Sequence, residues 1–415
     1  MIFMKDYSFA ENSYYSDEKY LEKVKERIQQ VLNEYATVGT ISAKNEIRCT
    51  KGYSYDELYD WDSYFESIFL SYFGVSKYCQ NIVDAFLRTQ FECGFISRCY
   101  GLKWNTPREH FKPFLAQLAL LAAKQNNDYR YLEGKAFDRL VKYLDYWTWY
   151  CDYDKNGLAV WDSAYHSGMD NQFMRMGYEN TATTEGVDLN CYLVREFKAM
   201  SFIAKKINRL KDKEIFDKKA EEMTKRINEV FWDEEDGFYY DRNERTGKHI
   251  KVKSIAGFIP LWAGIASKEQ AKTIIEKHLL DKEKFWLEYP VATLSKQEEG
   301  FHQETFGRFC NWCGPTWIPT NYMVFHGLLN YGYHKEAKEL AKKTCDMTMR
   351  EQFTREYYLS DSGIGQGLSP FWGWSSLSYL MPLELELSYD PTDIELENIN
   401  PIASDCMGLT PPINF

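Results

Sequence analysis

The chain has 415 residues, of which 44% are hydrophobic and 27% charged, an ordinary balance for a soluble globular protein with ample length to bury a core. A formal net charge of -11 argues against a nucleic-acid partner, whose affinity draws on clustered Lys and Arg. The opening Met1-Ile-Phe-Met-Lys-Asp-Tyr-Ser8 lacks a charged segment followed by an apolar run, and no later run reaches membrane-spanning length, so a cytoplasmic protein with no membrane partner is expected.

In chain order, Leu21, Val24, Ile28, Val31, Leu32 and Tyr35 recur at steps of three and four and predict an amphipathic helix. In Leu58-Tyr-Asp-Trp-Asp-Ser-Tyr-Phe65, Asp62 precedes an apolar run and reads by itself as a helix-capping acid. Asp152, Asp154, Asn156 and Gly157 match the first half of a calcium loop, but the twelfth position holds Ser163 rather than a bidentate Glu, which excludes an EF-hand. The stretch up to Asp170 then sets Asp162 and Asp170 beside Trp161 and Tyr165. Carboxylates next to flat apolar faces are what a sugar-cleaving site needs. Asp188, in Thr184-Glu-Gly-Val-Asp-Leu-Asn190, suits the first turn of a helix, where the dipole favours an acid.

A second stripe, Phe216, Ala220, Met223, Ile227, Val230 and Phe231, predicts another helix. The turn clusters Asp233–Gly237 and Asp241–Gly247 flank Phe238-Tyr-Tyr240 as a short hairpin would. Cys310-Asn-Trp-Cys313 has neither a second Cys or His pair nor a βαβ context, so two packed thiols are expected, with no metal and no cofactor. The pattern predicts about a dozen helices with small strands in the loops. No fixed repeat of about 34 to 45 residues supports a solenoid. No Pro/Gly/Ser-rich linker divides the chain, so a single domain over residues 1–415 is expected. Periodicity alone does not choose between an irregular bundle and a closed barrel of helical hairpins.

Four segments, in order between residues 58 and 376, resemble the glycoside hydrolase family 63 and trehalase-like enzymes. They are Trp61-Asp-Ser-Tyr-Phe65, Gly168-Met-Asp-Asn171 with Val187-Asp-Leu-Asn190, Trp312-Cys-Gly-Pro-Thr-Trp317, and Arg355-Glu-Tyr-Tyr358 with the Gly-rich and Trp-Ser stretch that follows. The resemblance implies an all-α (α/α)6 barrel, a six-hairpin toroid with short β-hairpins in its loops. It implies Asp170 as the proton donor and Glu356 as the general base, with Glu351 as the fallback. It places Trp61, Asp62, Trp161, Tyr165, Asn171, Trp312, Trp317, Gln366 and Trp374 around the sugar.

The activity so implied is that of an inverting α-glycosidase acting without a metal on a small carbohydrate. Glucosylglycerate, mannosylglycerate or an α-glucobiose would be the substrate, and the two carboxyls would lie about 6.5–9.5 Å apart. One position departs from the pattern: Cys313 stands where the family carries Arg, leaving Arg308 or Arg355 to supply the cation. A carbohydrate binder without turnover is therefore one alternative. A sugar epimerase is another, and it would require His166, His302 and His326 to meet in one cleft.

Overall fold

The computed structural model describes residues 18–35, 37–40, 48–51, 57–72, 76–100, 109–176, 182–305, 310–387 and 389–397. Its principal helices, in chain order, are α1 (Glu18–Gln30), α2 (Asp60–Ser71), α3 (Ser76–Arg88), α4 (Leu115–Asn126), α5 (Lys135–Asp145) and α6 (Val187–Lys206). They continue with α7 (Leu210–Val230), α8 (Ile259–Trp262), α9 (Lys268–Ile274), α10 (Ile318–Asn330), α11 (His334–Met349) and α12 (Leu377–Leu387).

The even-numbered helices form a closed inner ring. Each packs on the next, from α2 through α4, α6, α8 and α10 to α12, and α12 returns to α2. Helix α10 is buried from Ile318 to Leu329, because a helix apolar on nearly every side must be surrounded by protein, and α2 is buried along its whole length although it carries Asp60, Asp62 and Glu66. The odd-numbered helices form the outer layer, with α3 against α2 and α4, α7 against α6, α11 against α10 and α12, and α1 closing on α12. They carry one apolar stripe each. Helix α5 buries Phe137, Leu140, Tyr143 and Leu144, and α7 buries Phe216, Ala220, Met223 and Ile227. The expected stripe of α1 is likewise inside at Val24, Ile28, Val31 and Leu32. This alternation of inner and outer helices is an (α/α)6 barrel.

Strands are short and confined to loops. Trp232–Asp233 pairs with Phe238–Tyr239, and Asp241–Asn243 with His249–Ile250, at the two predicted turn clusters. Gly237 and Gly247 take φ of 65° and 67° there, a region open to glycine at little cost. The second hairpin joins an antiparallel four-stranded sheet with Thr184–Glu185 and Val160–Trp161, placing Trp161 opposite Thr184 and Thr184 opposite Asn243. That sheet ties the loop before Asp170 to the start of α6.

Beneath the sheet lies a buried ion cluster. Arg175 grips Asp241 through Nε (2.7 Å) and Nη2 (3.1 Å), and the same Nη2 lies 3.1 Å from Asp188. Asp188 sits in the first turn of α6 and also accepts the indole N–H of Trp161 at 2.9 Å. At another edge of the barrel, Lys124 donates to the carbonyls of Asp393 (2.6 Å) and Ile394 (2.8 Å), so the chain beyond Pro391 packs on the helices as far as it is described. Among the described residues no helix is long and apolar enough to cross a membrane.

Candidate active site

The first turn of α2, the N-cap of α10 and the approach to α12 converge, and aromatic rings form the wall between them. The Trp61 ring lies 5.6 Å from Trp312 and 6.3 Å from Trp374, and Trp312 stacks at 3.8 Å on Trp317, which stacks in turn on Tyr357. Gly168, with φ of 83°, lets the acid-bearing loop pass directly over Trp61, since a Cβ there would lie 2.6 Å from the indole ring.

Asp62, Asp170, Glu356 and the thiol of Cys310 gather beside this wall and act on one another electrostatically. Asp170 is half-buried, and burial raises its carboxyl to about 6 against the pull of Arg98 and Lys112. Glu356 is only 4% exposed, and burial raises it to about 7. The N–H of Leu368 (3.0 Å) and the Cys310 thiol (3.5 Å) favour its ionised form, whereas the charge of Asp170 opposes it. Asp62 is 6% exposed and held well above the usual carboxylate range, first by burial and then by Asp60.

The cations cluster on one side. Lys112 binds both oxygens of Asp60 at 3.0 and 3.2 Å and lies 5.1 Å over the Trp61 ring. Arg98 pairs with Glu109 at 2.9 Å, donates to the carbonyl of Tyr165, and acts electrostatically on Asp170. Neither had a signal in the sequence, because each reaches the site from a segment without a motif.

The turn carrying Glu356 is built by close approach of glycine. Tyr357–Tyr358 pairs with Gly365–Gln366, and Gly367, with φ of 71°, brings its backbone so near that a Cβ there would overlap the Glu356 carboxylate. The indole of Trp374 donates to the Glu356 carbonyl at 2.9 Å. Glu351, the fallback base, is turned away: it binds the Arg355 guanidinium at 2.7 Å and the Gly365 N–H at 2.9 Å. Arg355 is thereby occupied outside the carboxylate cluster, and Arg308 lies outside the described residues.

The structure places the other expected sugar contacts as follows. Trp161 has no exposed surface, because its ring packs edge-on to Trp147 and His166 and its N–H is bound to Asp188. Trp317 is also fully enclosed, forming the layer behind Trp312 with its N–H on the Asn311 carbonyl at 2.7 Å. Asn171 is a strut: its Oδ1 accepts the Trp312 N–H at 2.7 Å, and its carbonyl accepts the Cys313 thiol at 3.3 Å. Gln366 accepts from Thr305 at 3.1 Å, and Tyr165 is half exposed on the Arg98 side. Trp61, Trp312 and Trp374 are also almost fully enclosed, and they form the wall beside Asp62, Asp170 and Glu356.

The residues of the rejected calcium loop bond their own backbone, Asp152 accepting the N–H groups of Asn156 and Gly157. Among the described residues no group of three or more ligating side chains could hold a metal ion. The three histidines do not meet. His166 binds the His110 carbonyl beside Trp147, His326 lies with Glu384 and Asp390, and His302 bonds Asn311.

Among curated proteins, the chain is 26% identical over 365 residues to the cytosolic neutral trehalase of Kluyveromyces lactis, covering 70% of this chain and 47% of that one. It is 34% identical over 148 residues to the mannosylglycerate hydrolase of one strain of Thermus thermophilus, covering 36% of this chain and 34% of the relative. It thus spans less than half the length of these relatives. The crystal structure of the family 63 mannosylglycerate hydrolase from a second strain of Thermus thermophilus, in complex with glucose, shares the fold, with a TM-score of 0.68 at 23% identity, over 88% of this chain and all of that one. Neutral trehalase from Saccharomyces cerevisiae superposes with a TM-score of 0.61 at 18% identity, over 88% and 82% of the two chains. The model of one family matches residues 55–375, from just ahead of Asp62 to just past Trp374, and the chain belongs to that family, the mannosylglycerate hydrolase MGH1-like glycoside hydrolase domains.

Proposed function

We propose that this chain is an inverting α-glycosidase acting on a small α-mannoside or α-glucoside, with Asp170 as general acid and Glu356 as general base. The observation that carries the reading is the pair of carboxyls acting on one another, one raised to about 6 and the other to about 7, beside a wall of indole rings. Between those values the pair holds one proton. That is the state in which one carboxyl can protonate the leaving oxygen while the other takes a proton from water.

The position of Arg98 favours an anionic aglycone. Arg98, paired with Glu109 at 2.9 Å, acts on Asp170, and because a general acid touches the leaving group's oxygen this cation is assigned to the aglycone side. A glycerate conjugate, with its carboxylate, suits that charge better than a neutral disaccharide. Replacing Arg98 by Met is expected to raise KM for a glycerate conjugate about tenfold or more, with a smaller change for a neutral α-glycoside. An equal change for both would remove Arg98 from the aglycone site.

The roles of the two carboxyls could also be exchanged. The cations Arg98 and Lys112 acting on Asp170 are the observation that favours the exchange. The test of the activity itself is independent of that choice. A panel of α-mannosides and α-glucosides, including both glycerate conjugates, is followed by NMR of the first-formed sugar. Release of the β-anomer is expected. Release of the α-anomer would rule out inversion, and binding without turnover across the panel would turn the reading into that of a carbohydrate-binding protein.

A further inference from the structure

Cys310 occupies a position that its sequence context did not suggest. Its thiol lies 3.5 Å from Glu356 Oε1, one member of the proposed hydrolytic pair, and acts on the carboxyl of Asp170, the other. The other oxygen of Glu356 is held separately by the Leu368 N–H at 3.0 Å. The segment bearing the thiol is fastened to the acid loop through Asn171, whose side chain accepts the Trp312 N–H at 2.7 Å and reaches Asn311 at 3.2 Å. Asn311 in turn binds the Cys313 N–H at 2.8 Å and the Glu304 carbonyl at 2.8 Å. The neighbouring thiol, Cys313, has no such role, since it points to the Asn171 carbonyl.

We infer that Cys310 is a positioning residue for this reaction: its neutral thiol donates to Glu356 Oε1, aiming that carboxyl while the Leu368 N–H holds the other oxygen. The inference rests on the proposed glycosidase reading. A thiol suits the place for a chemical reason. It stays protonated beside three carboxyl groups, because burial and the charges of Glu356, Asp170 and Asp62 all push its ionisation upward. It therefore brings a donor into an acidic cluster without adding another negative charge. Being a weak donor, it also yields readily when substrate or water takes its place.

Removing a donor that favours the ionised form raises the pKa of the carboxyl it served. The kcat/KM profile of Cys310→Ala is therefore expected to move to higher pH by about half a unit on the limb that Glu356 governs, with kcat about three- to tenfold lower. Cys310→Val, which keeps the volume and lacks the donor, should behave alike even if the alanine variant folds poorly. Cys310→Ser, which retains a donor, should return that limb to its wild-type position. NMR titration of the Glu356 carboxyl carbon reads the same shift without substrate. A wild-type limb and titration in the Ala and Val variants would overturn the inference, even if thermal stability falls. If Asp170→Asn and Glu356→Gln are inactive while the Cys310 variants keep the wild-type profile, only the role of Cys310 is lost. Full activity in both carboxyl variants removes the parent reading as well.

Discussion

Replacing Asp170 by Asn or Glu356 by Gln is expected to lower kcat/KM about 10²–10⁴-fold, the usual worth of a positioned acid or base. The wild-type profile should be a narrow bell, falling below about pH 6, where both carboxyls are protonated, and above about pH 7, where both are ionised. The variants also separate the two roles. An α-glycosyl fluoride needs little protonation of its leaving group, so the variant lacking the acid retains most of its fluoride hydrolysis while the variant lacking the base does not. Retention by Asp170→Asn supports the assignment proposed here, and retention by Glu356→Gln exchanges the roles.

Misfolding is excluded by a stability readout of opposite sign. Both carboxyls titrate higher in the folded chain than their unfolded values of about 3.9 and 4.3, so the folded state binds more protons across the intervening window. Stability then falls as pH rises from about 4 to 7, and the full cost persists above that range. The amide variants remove this dependence, so their Tm at neutral pH should equal or exceed that of the wild type. Full activity in both variants, or a Tm well below wild type, would contradict the account.

The second large effect is on stability. Arg175 is fully buried between Asp188 and Asp241 and donates to the Met169 sulfur at 3.2 Å, immediately before the proposed acid. Arg175→Met leaves two carboxylates buried without their cation, which is expected to cost about 3–5 kcal/mol in denaturant unfolding. Arg175→Lys should recover only part of this, because an ammonium cannot reproduce the two-pronged grip on Asp241. A loss below about 1 kcal/mol for the Met variant would show that the cluster is dispensable.

The helices were legible in the chain itself. The stripes at Val24–Leu32 and Phe216–Ile227 lie inside as their spacing predicts, and the turn residues at Asp233–Gly237 and Asp241–Gly247 form their hairpins, because periodicity and turn chemistry act over a few residues. The placing of Asp188 at a helix start had the same local basis. The acid-bearing loop and the Glu356 turn could be picked out only through resemblance, since nothing local distinguishes a catalytic carboxylate from a solvated one. What depended on tertiary structure was every relation between distant segments. Closure of α12 onto α2 brings Trp61 to Trp374, and burial inside that ring is what raises Asp170 and Glu356. The same packing withdrew Trp161 into the core and put Cys310, rather than Cys313, against Glu356. Composition and spacing record which side chains can be buried or charged, whereas a pKa, a cation beside an acid or a thiol against a carboxyl depends on which surfaces the folded ring presses together.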